Sequence, residues 1–132
     1  MKLGHQVERA FLKYLQDNYP ELKAVKSSEQ DDLCHGTDIV INPPHWKNIR
    51  GVAIGVTTSP HRGKYFADAY KAKRKFDLFI EVVFDSFMID FSSDEQLGQA
   101  FDNAACELLN DLPLIGSHVL YASHLDAFYH HI

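Results

Sequence analysis

Gly36-Thr37-Asp38-Ile39-Val40-Ile41 and Gly51-Val52-Ala53-Ile54-Gly55-Val56-Thr57-Thr58 are the two stretches whose relation decides how the chain reads. The first is a β run with an acid at its start, stopped by Pro43-Pro44, because proline cannot donate to a strand ladder. The second is a nearly continuous apolar run, as suits a strand covered on both sides. His45–Arg50 lies between them as a loop, so the pair reads as a hairpin with a long connection. Residues two apart on a strand share a face. Gly55 and Thr57 therefore point one way, and Val52, Ile54 and Val56 the other.

Before this pair, Val7, Ala10, Phe11, Tyr14 and Leu15 fall on one stripe of a helix over residues 5–18, which Pro20 closes. A short strand is expected around Leu22 to Val25, then a polar loop through residue 35. After the pair, Ser59–Gly63 is a loop and residues 64–75 form a helix with Phe66, Ala69 and Tyr70 on one face. Asp77–Phe84 is a strongly apolar run, as expected of an interior strand. Ser86–Phe91 alternates Phe87, Ile89 and Phe91 and reads as a further strand, with Phe84, Phe87 and Phe91 in the core. Ser92 or Ser93, three residues before Glu95 or Gln96, opens a capping box. The helix it starts buries Leu97, Ala100, Phe101, Ala104 and Leu108. Residues 113–116 turn the chain into a strand His118–Ala122, and Ser123 caps a short terminal helix. The expectation is one α/β (α+β) domain over 1–132, a central mixed sheet of about five strands flanked by helices.

At 132 residues, with 45% hydrophobic and 23% charged side chains, the chain has the composition of an ordinary globular domain. No apolar run approaches the roughly 20 residues that cross a bilayer. The amino terminus lacks a signal-peptide pattern, and the expected location is cytoplasmic. The net charge of −5 hides an uneven distribution. Residues 1–44 carry five basic and seven acidic side chains; 45–75 carry eight basic ones against Asp68 alone; 76–132 carry ten acids and no Lys or Arg. An acidic total disfavours indiscriminate nucleic-acid binding, while the basic middle segment can still steer a polyanion. Cys34 and Cys106 define no disulfide framework. Cys106 reads as a buried thiol.

On the order of its elements, on Asp38, and on the basic helix between two apolar strands, the chain resembles the PD-(D/E)xK, restriction-endonuclease-like superfamily. The resemblance covers about residues 5–84. It implies a divalent-metal-dependent phosphodiesterase core, with Mg²⁺ held by the Asp and by an acid on the following strand, and a lysine two residues after that acid. Glu8 on the leading helix takes the place of the assisting acid. The two remaining places hold Gly55 and Thr57, so the motif is degraded. Two substitutes stand near in sequence: Lys64 for the lysine and Glu81 for the second carboxylate. The resemblance thus implies Asp38, Glu8, Lys64 and Glu81 as catalytic residues and Asp38 with Glu81 as metal ligands, or else an inactive relative that only binds nucleic acid.

His61, Arg62 and Lys64 follow a proline-containing loop and can meet phosphate. Lys71, Lys73, Arg74 and Lys75 either extend that surface or form a solvated helix face. Trp46 is either a stacking platform or a core anchor. Asp38 reads equally as the terminator of a strand, and Glu81, a carboxylate inside an apolar strand, needs a partner in any case. Two other readings stand beside the nuclease one. An interaction protein would pair its acidic carboxyl-terminal half with a basic partner or with a second copy, giving a salt-sensitive homodimer. A metal- or small-molecule-binding domain would use Cys34, His35 and Asp38. No P-loop, dinucleotide fingerprint or serine-nucleophile elbow is present, which removes several common enzyme classes.

Overall fold

A computed structural model describes residues 3–28, 37–44, 50–59, 62–110 and 116–130. The element order is α1 (Leu3–Asn18), β1 (Val25–Lys26), β2 (Ile39–Ile41), β3 (Val52–Thr57), α2 (Arg62–Ala72), β4 (Leu78–Phe84), α3 (Asp94–Asn110), β5 (His118–Ala122) and β6 (Ala127–His130). The strands form one mixed sheet in sequence order, β1-β2-β3-β4-β5-β6. The amino-terminal three are antiparallel, β3, β4 and β5 are parallel, and β6 returns antiparallel to β5. The α+β class is as the sequence implies, with six strands rather than five. No helix among the described residues is long and apolar enough to cross a membrane.

Strand periodicity divides the core into two. Ile39, Ile41, Val52, Ile54, Val56, Ile80, Val82, Phe84 and Leu120 face α1 and α3. Phe11, Phe84 and Phe101 meet there with ring centroids 5.0 to 5.4 Å apart. The alternate residues Ala53, Phe79, Val83 and Val119 face α2, which turns in Tyr65, Ala69 and Ala72. Consecutive parallel strands β3, β4 and β5 are thus linked by helices on opposite sheet faces, so the two crossovers differ in hand, against the usual right-handed preference. Residues 85–93 carry the chain round the end of the sheet to the second face.

That path accounts for the main departure from expectation. Ser86–Phe91 is not a strand but a succession of turns, in which Phe87 N–H and Ser92 N–H donate to the carboxylates of Asp85 and Asp90. Asp side chains that bond two residues ahead favour such turns over a ladder. Of the three phenylalanines assigned to the core, Phe84 is buried and Phe91 half-buried, but Phe87 is 96% exposed. Ser93 caps α3 by accepting from Gln96 N–H, while the Gln96 side chain reaches back to Asp90 N–H rather than to the cap residue. The expected strand near Leu22 is a 3-10 turn, Pro20–Leu22, and only Val25–Lys26 pairs with β2. The expected terminal helix is strand β6. Ser123 closes the β5–β6 turn, accepting from Leu125 and Asp126 N–H, and register partners Tyr121 and Phe128 stack 4.8 Å apart.

Cys106 is partly exposed rather than buried, because it lies at the α1–α3 rim. There Tyr14 and Tyr19 both donate to Asp102 Oδ1, and the Tyr19 hydroxyl lies 3.2 Å from Cys106 Sγ. Burial, then the bond to Asp102, pushes the Tyr14 hydroxyl up to about 12. Both phenols therefore stay protonated and fasten the first helix to the third.

Candidate active site

The site grows from residues on or just before three neighbouring strands. Ile39 pairs with Ile54, and Asp38, in a bend just before β2, donates its N–H to Ile54 O at 2.9 Å. Asp38 ends the β2–β3 ladder. Its Oδ2 accepts from Val56 N–H at 2.8 Å, where a strand carbonyl would otherwise stand. The parallel register of β3 and β4 sets Gly55 beside Glu81, and Asp38 stands just before Ile39, whose partner Ile54 precedes Gly55. Register partners share a face, so Gly55 and Glu81 present toward the α2 side, while Asp38 stands at the end of the sheet between α1 and α2.

Gly55 is what makes room for Glu81. A Cβ built on it would collide with Glu81 Oε2 and lie 2.9 Å from Cζ of Phe79. The Glu81 carboxylate thus lies in the space above the strand position where the resembled family carries its second acid. Glu81 is 3% exposed, and its Oε2 is buried without a hydrogen bond. Burial pushes its pKa above the ordinary value, and Lys64 pulls against that shift. A buried carboxylate with one oxygen unsatisfied is costly, so such a group calls for a nearby cation.

Lys64 supplies it from the first turn of α2. Its Nζ lies 3.3 Å from Glu81 Oε1 and 3.3 Å from Asp68 Oδ2. Burial lowers the lysine pKa, but Glu81, Asp68 and Asp38 together outweigh it and leave it raised. Lys64 is therefore a permanent cation at neutral pH. On the solvent side, Gly4, His5, Glu8, Asp38, Val56 and Lys64 line a pocket of about 240 Å³. The first helix contributes Glu8 to the same opening that α2 and the strands reach from the other side.

The four residues assigned from sequence as catalytic are thus brought together: Glu8, Asp38 and Lys64 in the pocket and Glu81 behind Lys64. Asp68 went unassigned, although its spacing of four from Lys64 on a helix was a readable signal. His5 carried no signal. Lys71, Lys73, Arg74 and Lys75 are exposed at and just beyond the opposite end of α2, about two to three helical turns from Lys64, and do not line the pocket. Arg50 has a structural role there: it donates to the carbonyls of Lys73, Lys75 and Phe76 and pairs with Asp77, capping the end of α2. His61, the Arg62 side chain, Trp46, and the Cys34 and His35 of the metal-binding reading lie outside the described residues.

No group of three or more His, Cys, Asp or Glu residues is clustered for a metal among the described residues. The donors that are present are hard carboxylate oxygens, and Mg²⁺ binds through one or two carboxylates while keeping its waters. The orphaned Glu81 Oε2 and the pocket-lining Asp38 are donors of that kind. No family model, curated protein or solved structure matches this chain.

Proposed function

We propose that this pocket is a divalent-metal-dependent phosphodiesterase site for nucleic acid, a divergent relative of the PD-(D/E)xK design. The observation that carries it is Asp38 beside the Gly55–Glu81 pair, with Lys64 bonded to Glu81. The acid and the lysine absent from β3 are both supplied, from β4 and α2, to the side of the sheet where the strand motif would have put them. A purely structural arrangement has no need of a buried carboxylate with an unsatisfied oxygen, which an apolar side chain would replace at no loss.

Asp38 and Glu81 are the residues that would hold Mg²⁺, with Glu8 at the rim. The ion, when bound, offsets charge on the phosphate and provides hydroxide at neutral pH. Lys64, kept charged by three carboxylates, places a fixed cation beside the scissile phosphate and serves as an electrostatic stabiliser rather than a base. Val56 N–H holds Asp38 in orientation.

The test is cleavage of labelled single- and double-stranded DNA and RNA with Mg²⁺ or Mn²⁺. Asp38→Asn and Glu81→Gln are each expected to lower the rate by about a hundredfold or more, and Lys64→Met by a comparable factor. Cleavage that survives both carboxylate substitutions, or a folded chain inert toward all four substrates with either metal, overturns the proposal.

A further inference from the structure

Helical periodicity groups Phe66, Ala69 and Tyr70 on one face of α2, but the helix is rotated away from that reading. Tyr65, Ala69, Ala72 and the following Phe76 are turned inward, while Phe66 and Tyr70 are left 48% and 69% exposed. At a spacing of four they stand one above the other on one flank, with Lys73 continuing the column. Between that flank and the start of β5 runs a groove of about 340 Å³, lined by Tyr65, Phe66, Ala69, Tyr70, Lys73 and Ser117. The Arg74 guanidinium lies 5.6 Å from the centre of the Tyr70 ring. Among the described residues no carboxylate lines the groove, and the one acid of α2, Asp68, is held by Lys64.

Exposed rings with cations at one end narrow the choice of occupant. An apolar protein surface makes no use of Lys73 and Arg74 beside the rings, and a small anion makes no use of the rings. Duplex nucleic acid satisfies the cations but keeps its base faces stacked inside. An unpaired strand satisfies both, since its bases stack on aromatic side chains and its phosphates meet Lys and Arg. We infer that the Phe66–Tyr70 flank of α2 is a binding groove for single-stranded nucleic acid. The inference takes its ligand class from the proposed function and narrows it to unpaired strands, but it needs no metal chemistry. Residues 64 and 66 are about 160° apart around a helix, so the groove and Lys64 lie on different flanks and binding is separable from cleavage.

The experiment is fluorescence anisotropy of the full chain in EDTA, with labelled oligo-dT, oligo-U and a mixed-sequence duplex of equal length. Single strands are expected to bind at least about tenfold more tightly than the duplex. Phe66→Ala and Tyr70→Ala should each weaken single-strand binding by about tenfold, with Tyr70→Phe close to wild type. Lys73→Glu should lower affinity and flatten its dependence on salt. Asp38→Asn should bind as wild type, so loss of cleavage with binding retained separates this groove from the pocket. Duplex bound as well as single strands, no single-strand binding, or ring variants that bind like wild type overturns the inference. So does a dimer in light scattering that Phe66→Ala with Tyr70→Ala converts to monomer, which would give the flank to a second copy.

Discussion

The two faces of the sheet are made by the same strands and have opposite contents. Toward α1 and α3 the alternate residues of β2, β3 and β4 are all apolar, and Phe11, Phe84 and Phe101 fill the space between layers. Among the described residues, this side also buries His118 of β5, and at its rim two tyrosines converge on Asp102. Toward α2 the same strands bury Glu81 among Ala53, Phe79 and Val83, with Asp68 and Lys64 descending from the helix. One face supplies the burial that stabilises the fold. The other gives up part of that stabilisation to hold charge in a place sheltered from water, as sites of chemistry do.

The largest effect should come from the apolar face. Phe84→Ala empties a fully buried ring site in contact with Phe11 and Phe101, and should cost about 3–5 kcal/mol in urea denaturation. A loss below about 1 kcal/mol would mean that this face is not the main source of stability. On the charged face, Gly55→Ala drives a Cβ into Glu81 and Phe79 and should cost about 1–3 kcal/mol while displacing the carboxylate. Gly98→Ala on α3, with nothing within 4 Å, is its control and should raise the melting temperature slightly. Equal melting shifts for the two glycines would break the claim that Gly55 makes room for Glu81.

The smallest stability effect should follow Glu81→Gln, within about 1 kcal/mol of wild type or stabilising, although it removes a carboxylate charge from the site. Its pH dependence sharpens the comparison. Burial raises the folded-state pKa of Glu81, so the folded chain holds that proton more tightly than the unfolded chain. The stabilising contribution of Glu81 is then fully present below the unfolded carboxylate pKa and lost as pH rises through the raised folded value. Melting curves of wild type and Glu81→Gln should diverge in favour of the variant as pH rises from acid to neutral. A gap that closes over that range would indicate that Lys64 overcompensates the burial.

Much of this was legible along the chain because it follows from local period. Near-continuous apolar runs placed β3 and β4, the 3.6 period placed α1 and α3, and proline closed α1 and β2. Glu81 drew notice as a carboxylate inside an apolar strand, and Lys64 as the first lysine after the loop. The errors share one cause, a local signal read by itself. Phe87, the Ser86–Phe91 run, and Phe66 with Tyr70 were read from local period alone, and the segment after Ser123 from a capping residue alone. In each case an Asx turn, a hairpin turn, or the rotation of a short helix against the sheet took precedence over that signal.

Taken alone, the amino-acid sequence determined which residues can be apolar partners and where the ladder must stop, because hydrophobic period and proline act within a few residues. It also supplied the carboxylates and the lysine. Only the tertiary structure decided that Glu81 reaches over Gly55 and that Lys64 sits between Glu81 and Asp68. Those meetings depend on strand register and on the face to which each crossover is sent. Both are set by packing between segments tens of residues apart, at distances over which local preference carries no information.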